Sequence, residues 1–271
     1  MNSYLIIFGA GLLAGIMNAL AGGGSFVTLP ALISAGIPSV QANASSTVGL
    51  FPGTAASTWA YRAGLGPIGS VGLRPLLLVT VAGGAVGACL LLWTPSKVFD
   101  FLLPWLLLVA TLTLTFGRQW GEWLRRRWHI RPGVVLAVQW ALGVYGGYFG
   151  GAIGIMMMAL WGLLDSRDIK SLNAQRTLLV TAANTMAVLI FIAANAVRWK
   201  ETLVLLVAAT IGGYFGAVVG RRAPSSVIRA GTLVIAAGIT VVFFARAYGQ
   251  GCIQTAPLTH LIDRQPMRSD P

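Results

Sequence analysis

The sequence predicts an all-α, polytopic helical membrane protein of about eight spans, built as two homologous repeats that each open with a glycine-broken helix. Three observations carry that prediction. Hydrophobic residues make up 56% of the chain and charged ones only 10%, whereas about a quarter of a soluble domain is charged. Apolar runs near the bilayer-crossing length of about 20 residues recur along the chain. A set of glycines and prolines from the first half returns in the second at near-constant spacing. The net charge of +12 would suggest nucleic acid in a soluble protein. Here the basic residues sit mostly between spans, which a membrane explains without nucleic acid.

The first element is broken. Leu5 to Leu20 reads as a helix and Phe26 to Ile37 as a shorter apolar piece, with Ala21-Gly22-Gly23-Gly24-Ser25 between them. Each glycine costs about 1 kcal/mol relative to Ala in a helix interior. In hydrocarbon the freed N–H groups find no water, so such a break lasts only inside protein or beside a wet cavity. With Ser25 opening the second piece, a helix N-terminus would face that cavity, as in transporters that hold anions near the midplane. Close helix packing through small residues is the alternative. Asn18 lies one turn before the break.

Ala35-Gly36-Ile37-Pro38 closes this unit as a turn. A dense polar patch follows, and its Asn43, Ser45, Ser46 and Thr47 either cap the next helix or face the break as donors. That span runs to about Tyr61. A third runs from about Pro75 to Trp93, with Gly83, Gly84 and Gly87 forming a small-residue face, and a fourth from about Val98 to Phe116. The connection from Gly117 to Pro132 holds Arg118, Arg125, Arg126, Arg127 and Arg131 against Glu122. Its charge makes it cytoplasmic, with Trp120, Trp123 and Trp128 as interfacial anchors. The expected divisions are a first repeat over 1–117, a basic connecting loop over 118–132, a second repeat over 133–247 and a poorly ordered tail over 248–271.

Gly11, Gly15, Gly22 and Ala42 return as Gly143, Gly147, Gly154 and Ala174, 132 positions on. Gly83-Gly84, Gly87 and Pro95-Ser96 return as Gly212-Gly213, Gly216 and Pro224-Ser225, 129 positions on. The second break reads Gly150-Gly151-Ala152-Ile153-Gly154, and the second patch Asn173-Ala174-Gln175-Arg176-Thr177, followed by Asn184. Interrupted segments at matching places in two halves point to a site where the halves meet. Counting each broken element as one crossing gives eight spans, with both termini on the cytoplasmic side beside the 118–132 connection. Arg221, Arg222 and Arg229 then fall outside, against the charge rule. Taken as re-entrant, each half crosses an odd number of times and the halves are inverted. Both counts stay open.

No nucleophile–base–orienter set lies within the spans, so an enzyme is not expected. Cys89, Cys252, His129 and His260 are isolated, and neither a metal nor another cofactor is implied. Asp100, Asp165, Asp168 and Glu201 all fall at span ends. Arg176 is the one cation set into a span. Its guanidinium fork suits an oxyanion, or its long stem carries the charge to the membrane surface. The expected binding set is Asn18, Gly22, Gly23, Gly24, Ser25, Asn43, Ser45, Ser46 and Thr47 from the first half. The second half gives Gly150, Gly151, Gly154, Gln175, Arg176 and Thr177. Two rivals stand beside an anion carrier. One is a non-transporting scaffold that docks partners on the basic loop, and the other a carrier of a cation or neutral solute.

Gly11-x-x-Ala14-Gly15, Ala21 to Ser25, Pro30 and Ala42 to Thr47 resemble the first repeat of the sulfite exporter TauE/SafE family. Gly143-x-x-x-Gly147-x-x-Gly150 and Ala174-Gln175-Arg176-Thr177-Leu178-Leu179 resemble its second. The likeness spans about residues 5 to 247. It implies a bacterial inner-membrane protein of about eight spans that exports sulfite, sulfonates or related sulfur oxyanions. Its partners would be that small anion, the lipid bilayer and, among the options, a second copy of itself. The second break departs from the denser glycine pattern common in the family, so backbone donation is expected mainly from Gly22 to Ser25.

Overall fold

The computed structural model describes residues 2–20, 22–68, 71–127, 132–151, 153–161, 172–220 and 225–249. They form ten helices: α1 (Asn2–Leu20), α2 (Ser25–Ser34), α3 (Ser39–Tyr61), α4 (Leu73–Trp93) and α5 (Ser96–Arg127), then α6 (Pro132–Phe149), α7 (Ile153–Trp161), α8 (Asn173–Ala193), α9 (Trp199–Gly220) and α10 (Ser225–Gly249). Among the described residues the only sheet-like pairing is an isolated bridge between Ile68 and Val71, so the fold is all-α. Among the described residues five helices are long and apolar enough to cross a membrane: α1, α4, α5 as far as Gly117, α8 and α10. Leu5, Leu78, Trp93 and Tyr214 stand exposed, a surface that would aggregate in water and is ordinary in lipid.

Small residues decide how the halves meet. A Cβ on Gly15 would run into the Ala209 carbonyl, and one on Gly212 into that of Leu12. One on Gly87 would meet the Val144 carbonyl, and one on Gly147 that of Gly84. So α1 lies backbone-to-backbone on α9, and α4 on α6, the first helix of each half against the fourth of the other. Close approach of this kind supplies the dispersion contacts that hold helices together where lipid removes the hydrophobic drive.

The same contacts give directions. Gly11 faces Ala208 and Gly216 faces Ile16, so α1 and α9 are parallel. Ser45 meets Arg198 and Gly49 meets Leu205, so α3 runs parallel to α9 and hence to α1. The short α2 between them must therefore run back. Its counterpart shows this directly: Gly146 packs on Ile153 while Trp161 Nε1 donates to Gln139 Oε1, so α7 is antiparallel to α6. The corresponding helices α3 and α8 are themselves antiparallel, with Thr58 beside Thr181 and Gln175 beside Gly64 and Gly66. Helices α5 and α10 also oppose, through Trp105–Tyr248 and Thr111–Thr240. Direction alternates along the chain, five helices to a half, and an odd number makes the halves inverted.

Two expectations change. Both termini and the 118–132 connection were placed on one side, but alternation puts them at opposite faces. The reason is that α2 and α7 fold back along the helices before them instead of completing a crossing. The polar segment after Phe116 also stays helical to Arg127, so the predicted loop is shorter. The tryptophan anchors and arginines of that segment lie outside the described side chains. So do Ala21, His129, Ala152, Asp165, Asp168, Arg221, Arg222 and the tail residues 250–271, with Cys252 and His260.

Each returning helix is anchored in apolar packing. Phe26, Leu29 and Leu32 of α2 sit in one core with Phe99 and Leu103 of α5. Ile153, Met157 and Trp161 of α7 sit in a second with Leu76, Val135 and Leu179. The turn after α2 is fixed by Gly36 at φ +86, where Ile37 N–H reaches back to the Leu32 carbonyl, a C-terminal capping pattern that glycine favours.

Candidate functional site

The first break is built from two left-handed glycines, Gly22 (φ +84) and Gly23 (φ +88), a conformation other residues adopt at a cost. Gly22 N–H closes α1 on the Met17 carbonyl, and Gly24 N–H donates to Asn18 Oδ1 at 2.8 Å. That second bond fixes the Asn18 amide. Its oxygen faces the backbone and its NH₂ is left for whatever lies beyond. Helix α2 then starts at Ser25 with Gly24 as an N-cap that has no side-chain bond. The second break is shorter. Helix α6 ends at Phe149, Gly150 turns at φ +73, and α7 begins at Ile153. Gly154, the sequence counterpart of Gly22, is therefore already inside α7.

A cavity of about 80 Å³ lies between the breaks. With roughly 10–15 Å³ needed per water, it holds about five waters, or one small oxyanion with part of its hydration shell. Nine of the expected residues line it: Asn18, Gly22, Gly23, Ser25 and Thr47 from the first half, and Gly150, Gly154, Arg176 and Thr177 from the second. The cavity also takes in Leu50, Thr54, Ser57, Ile153, Val180 and Asn184, which the sequence reading left out of the binding set. Periodicity held a signal for them. Thr54 and Ser57 follow Thr47 at seven and ten residues, and Asn184 follows Thr177 at seven, each on one helical face.

Six expected residues are used elsewhere. Gly24 gives its N–H to Asn18. Asn43 Nδ2 donates to the Tyr148 carbonyl at 2.8 Å, just before the second break. Ser45 Oγ accepts the Arg198 backbone N–H at 2.9 Å, and Ser46 bonds Thr28 of α2. Gln175 Nε2 donates to the Gly64 and Gly66 carbonyls. A Cβ on Gly151 would strike the Phe149 ring, so that glycine serves packing. Asn43, Ser45 and Ser46 fasten the N-terminal half of α3, whose residues Ala42 to Leu50 are all buried. The cavity instead follows the C-terminal half of α3, toward the face where that helix ends.

Charge around the cavity has one sign. Among the described residues Arg176 is the only charged side chain in its wall. The Arg176 stem packs where a Cβ on Gly154 would lie, with Cγ and Cδ 3.3 Å from that point, which directs it along the start of α7. Ser25 on α2 and Ile153 on α7 place both helix N-termini at the same space, each worth about half a positive charge. An unpaired guanidinium away from water costs several kcal/mol, and an anion in the cavity would offset that cost.

A family model described as Sulfite exporter TauE/SafE matches residues 7–243. The chain belongs to the sulfite exporter TauE/SafE family. A probable membrane transporter protein, ORF9, of Sinorhizobium sp is 31% identical over 222 residues, covering 80% of this chain and 81% of its own. The probable membrane transporter protein YfcA of Escherichia coli K12 is 25% identical over 246 residues, covering 90% and 91%. A probable membrane transporter protein of Haemophilus influenzae is 25% identical over 228 residues, covering 83% and 88%. No solved structure matches. TauE/SafE membership makes this chain a multi-pass membrane protein of a transporter family.

Proposed function

We propose that the chain is a secondary transporter or facilitator that exports a small anion, sulfite or an organosulfonate, across a bacterial cytoplasmic membrane. One observation carries the reading: two helix N-termini and Arg176 converge on a cavity that no acidic side chain lines among the described residues. A cation carrier would place carboxylates there and no fixed positive charge. The sulfur-oxyanion assignment rests on the family description and on the fit of a guanidinium fork to such groups.

Chain order and charge orient the molecule. Among the described residues, the helix ends on the face where α3, α5, α7 and α9 finish carry seven arginines, Arg62, Arg74, Arg118, Arg125, Arg126, Arg127 and Arg229. The helix ends on the opposite face carry four described basic residues, Lys97, Arg198, Lys200 and Arg246, and Arg176 stands in the first turn of α8. The positive-inside rule then puts the first face in the cytoplasm. Arg229 no longer conflicts with it, and the end of α3 that the cavity follows lies toward the cytoplasm. An anion leaving from there is driven out by an inside-negative potential and gains about 2.3 kcal/mol per charge per 100 mV. No coupling ion is required.

The test is sulfite efflux from proteoliposomes holding the purified full chain, with a potential set by potassium and valinomycin. Efflux that rises with inside-negative potential is the expected result. An absence of sulfite and sulfonate flux at any potential would remove the assignment.

A further inference from the structure

The hydroxyls along the cavity are not all donors. Thr47 Oγ1 donates to the Asn43 carbonyl at 2.9 Å, Thr54 Oγ1 to Phe51 at 2.8 Å, and Ser57 Oγ to Gly53 at 2.9 Å. Each hydroxyl has one proton, and each of these protons is given to the residue's own helix. What remains toward the cavity is lone pairs. The three stand on one face of α3 and, at 1.5 Å per residue, form a strip about 15 Å long. Across the cavity, Asn184 is 7% exposed and its Oδ1 is buried with no hydrogen-bond partner. A buried acceptor left without a donor is a cost the protein itself does not relieve.

The cavity is thus bipolar. Arg176, Ser25 and the Asn18 amide NH₂ offer hydrogens to an anionic head, while Thr47, Thr54, Ser57 and Asn184 offer acceptors. A bare oxyanion has only lone pairs and cannot satisfy that second set. We propose that the transported anion carries its own hydrogen-bond donor. Its chemical class is a monoanionic oxyanion bearing O–H or N–H, such as hydrogensulfite or a small hydroxy- or aminosulfonate. A donor-free anion of equal size and charge is discriminated against. This inference rests on the anion-export reading and narrows its substrate class.

Hydroxymethanesulfonate and ethanesulfonate are a suitable pair, because they share charge and heavy-atom count and differ by O–H in place of CH₃. Each is loaded into proteoliposomes of the full chain and its efflux compared. The expected result is kcat/KM higher for hydroxymethanesulfonate by at least about tenfold, since a site built to bond a substrate hydroxyl rejects the analogue without one. The isosteric Thr54→Val and Asn184→Leu should each pull that ratio toward one. Ser57→Ala, at a more exposed position, serves if either fails to fold. Equal efflux of the two anions by the unsubstituted protein would overturn the inference and leave anion export standing. Failure of both these anions and of sulfite to move would overturn export and the inference together. If the ratio is present but unchanged by all three substitutions, the donor preference arises outside this cavity and the assignment to these residues is wrong.

Discussion

Thr58 Oγ1 lies 2.8 Å from Thr181 Oγ1, and that contact joins the two halves. The two threonines sit on corresponding helices, one near the end of α3 and the other close to the middle of α8. With Gln175 Nε2 on the Gly64 and Gly66 carbonyls, the order of contacts makes α3 and α8 antiparallel. A disulfide between Thr58→Cys and Thr181→Cys, in a background with Cys89 and Cys252 replaced by Ala, should form readily and leave the fold intact. Mild oxidation and a mobility shift after cleavage between the halves would report it. Reduced thiols throughout would count against inverted halves.

The glycine interfaces should be intolerant of volume. A side chain on Gly147 meets the Gly84 carbonyl, which is backbone and cannot turn aside. Gly147→Val should lower stability by about 1–3 kcal/mol or more, the usual range for overpacking. Thermal unfolding in detergent would show it. Gly231→Val is the comparison, because nothing lies within 4 Å of a Cβ there, and it should unfold near the unsubstituted protein.

Asn18 separates structure from electrostatics. Asn18→Asp keeps an acceptor for the Gly24 N–H but replaces the NH₂ that faces the cavity with negative charge. It should fold normally and lose anion flux. Asn18→Ala should lose about 1 kcal/mol, as when a helix cap is removed, as well as flux. Equal flux in Asn18→Asp and the unsubstituted protein would take Asn18 out of the site.

Much of this was legible from residue types. The glycine runs marked both breaks, because no other residue turns a chain at φ +84 or +73 so readily, and Arg176 stood out as a cation set into a span. The direction of α2 was not legible. Residues Ser25 to Ser34 read equally as the end of a crossing or the start of a return, and only packing against α1 and α3 decides. The roles of Asn43 and Gln175 were hidden for the same reason. A polar side chain near a break bonds either ligand or backbone, and their partners, Tyr148, Gly64 and Gly66, lie more than 100 residues away. Thr54 and Ser57 stand apart from the polar cluster at 43–47, and only the helical face they share with Thr47 marks them.

Orientation is testable without substrate. With native cysteines replaced, Trp199→Cys at the start of α9 should react with an impermeant maleimide applied outside intact cells. Arg62→Cys, at the opposite face, should react only after permeabilisation. The reverse pattern would turn the molecule over and make the cavity face the periplasm.

The central claim is that Arg176 completes an anion site between inverted halves. The most direct measurement compares sulfite efflux by the unsubstituted protein, Arg176→Lys and Arg176→Ala, each first shown by thermal unfolding to be folded. Losing one partner of a buried charged contact costs about 2–5 kcal/mol, so Arg176→Ala should fall by about a hundredfold or more. Arg176→Lys, which keeps the charge without the fork, should fall less. Unchanged efflux in a folded Arg176→Ala protein would contradict the account.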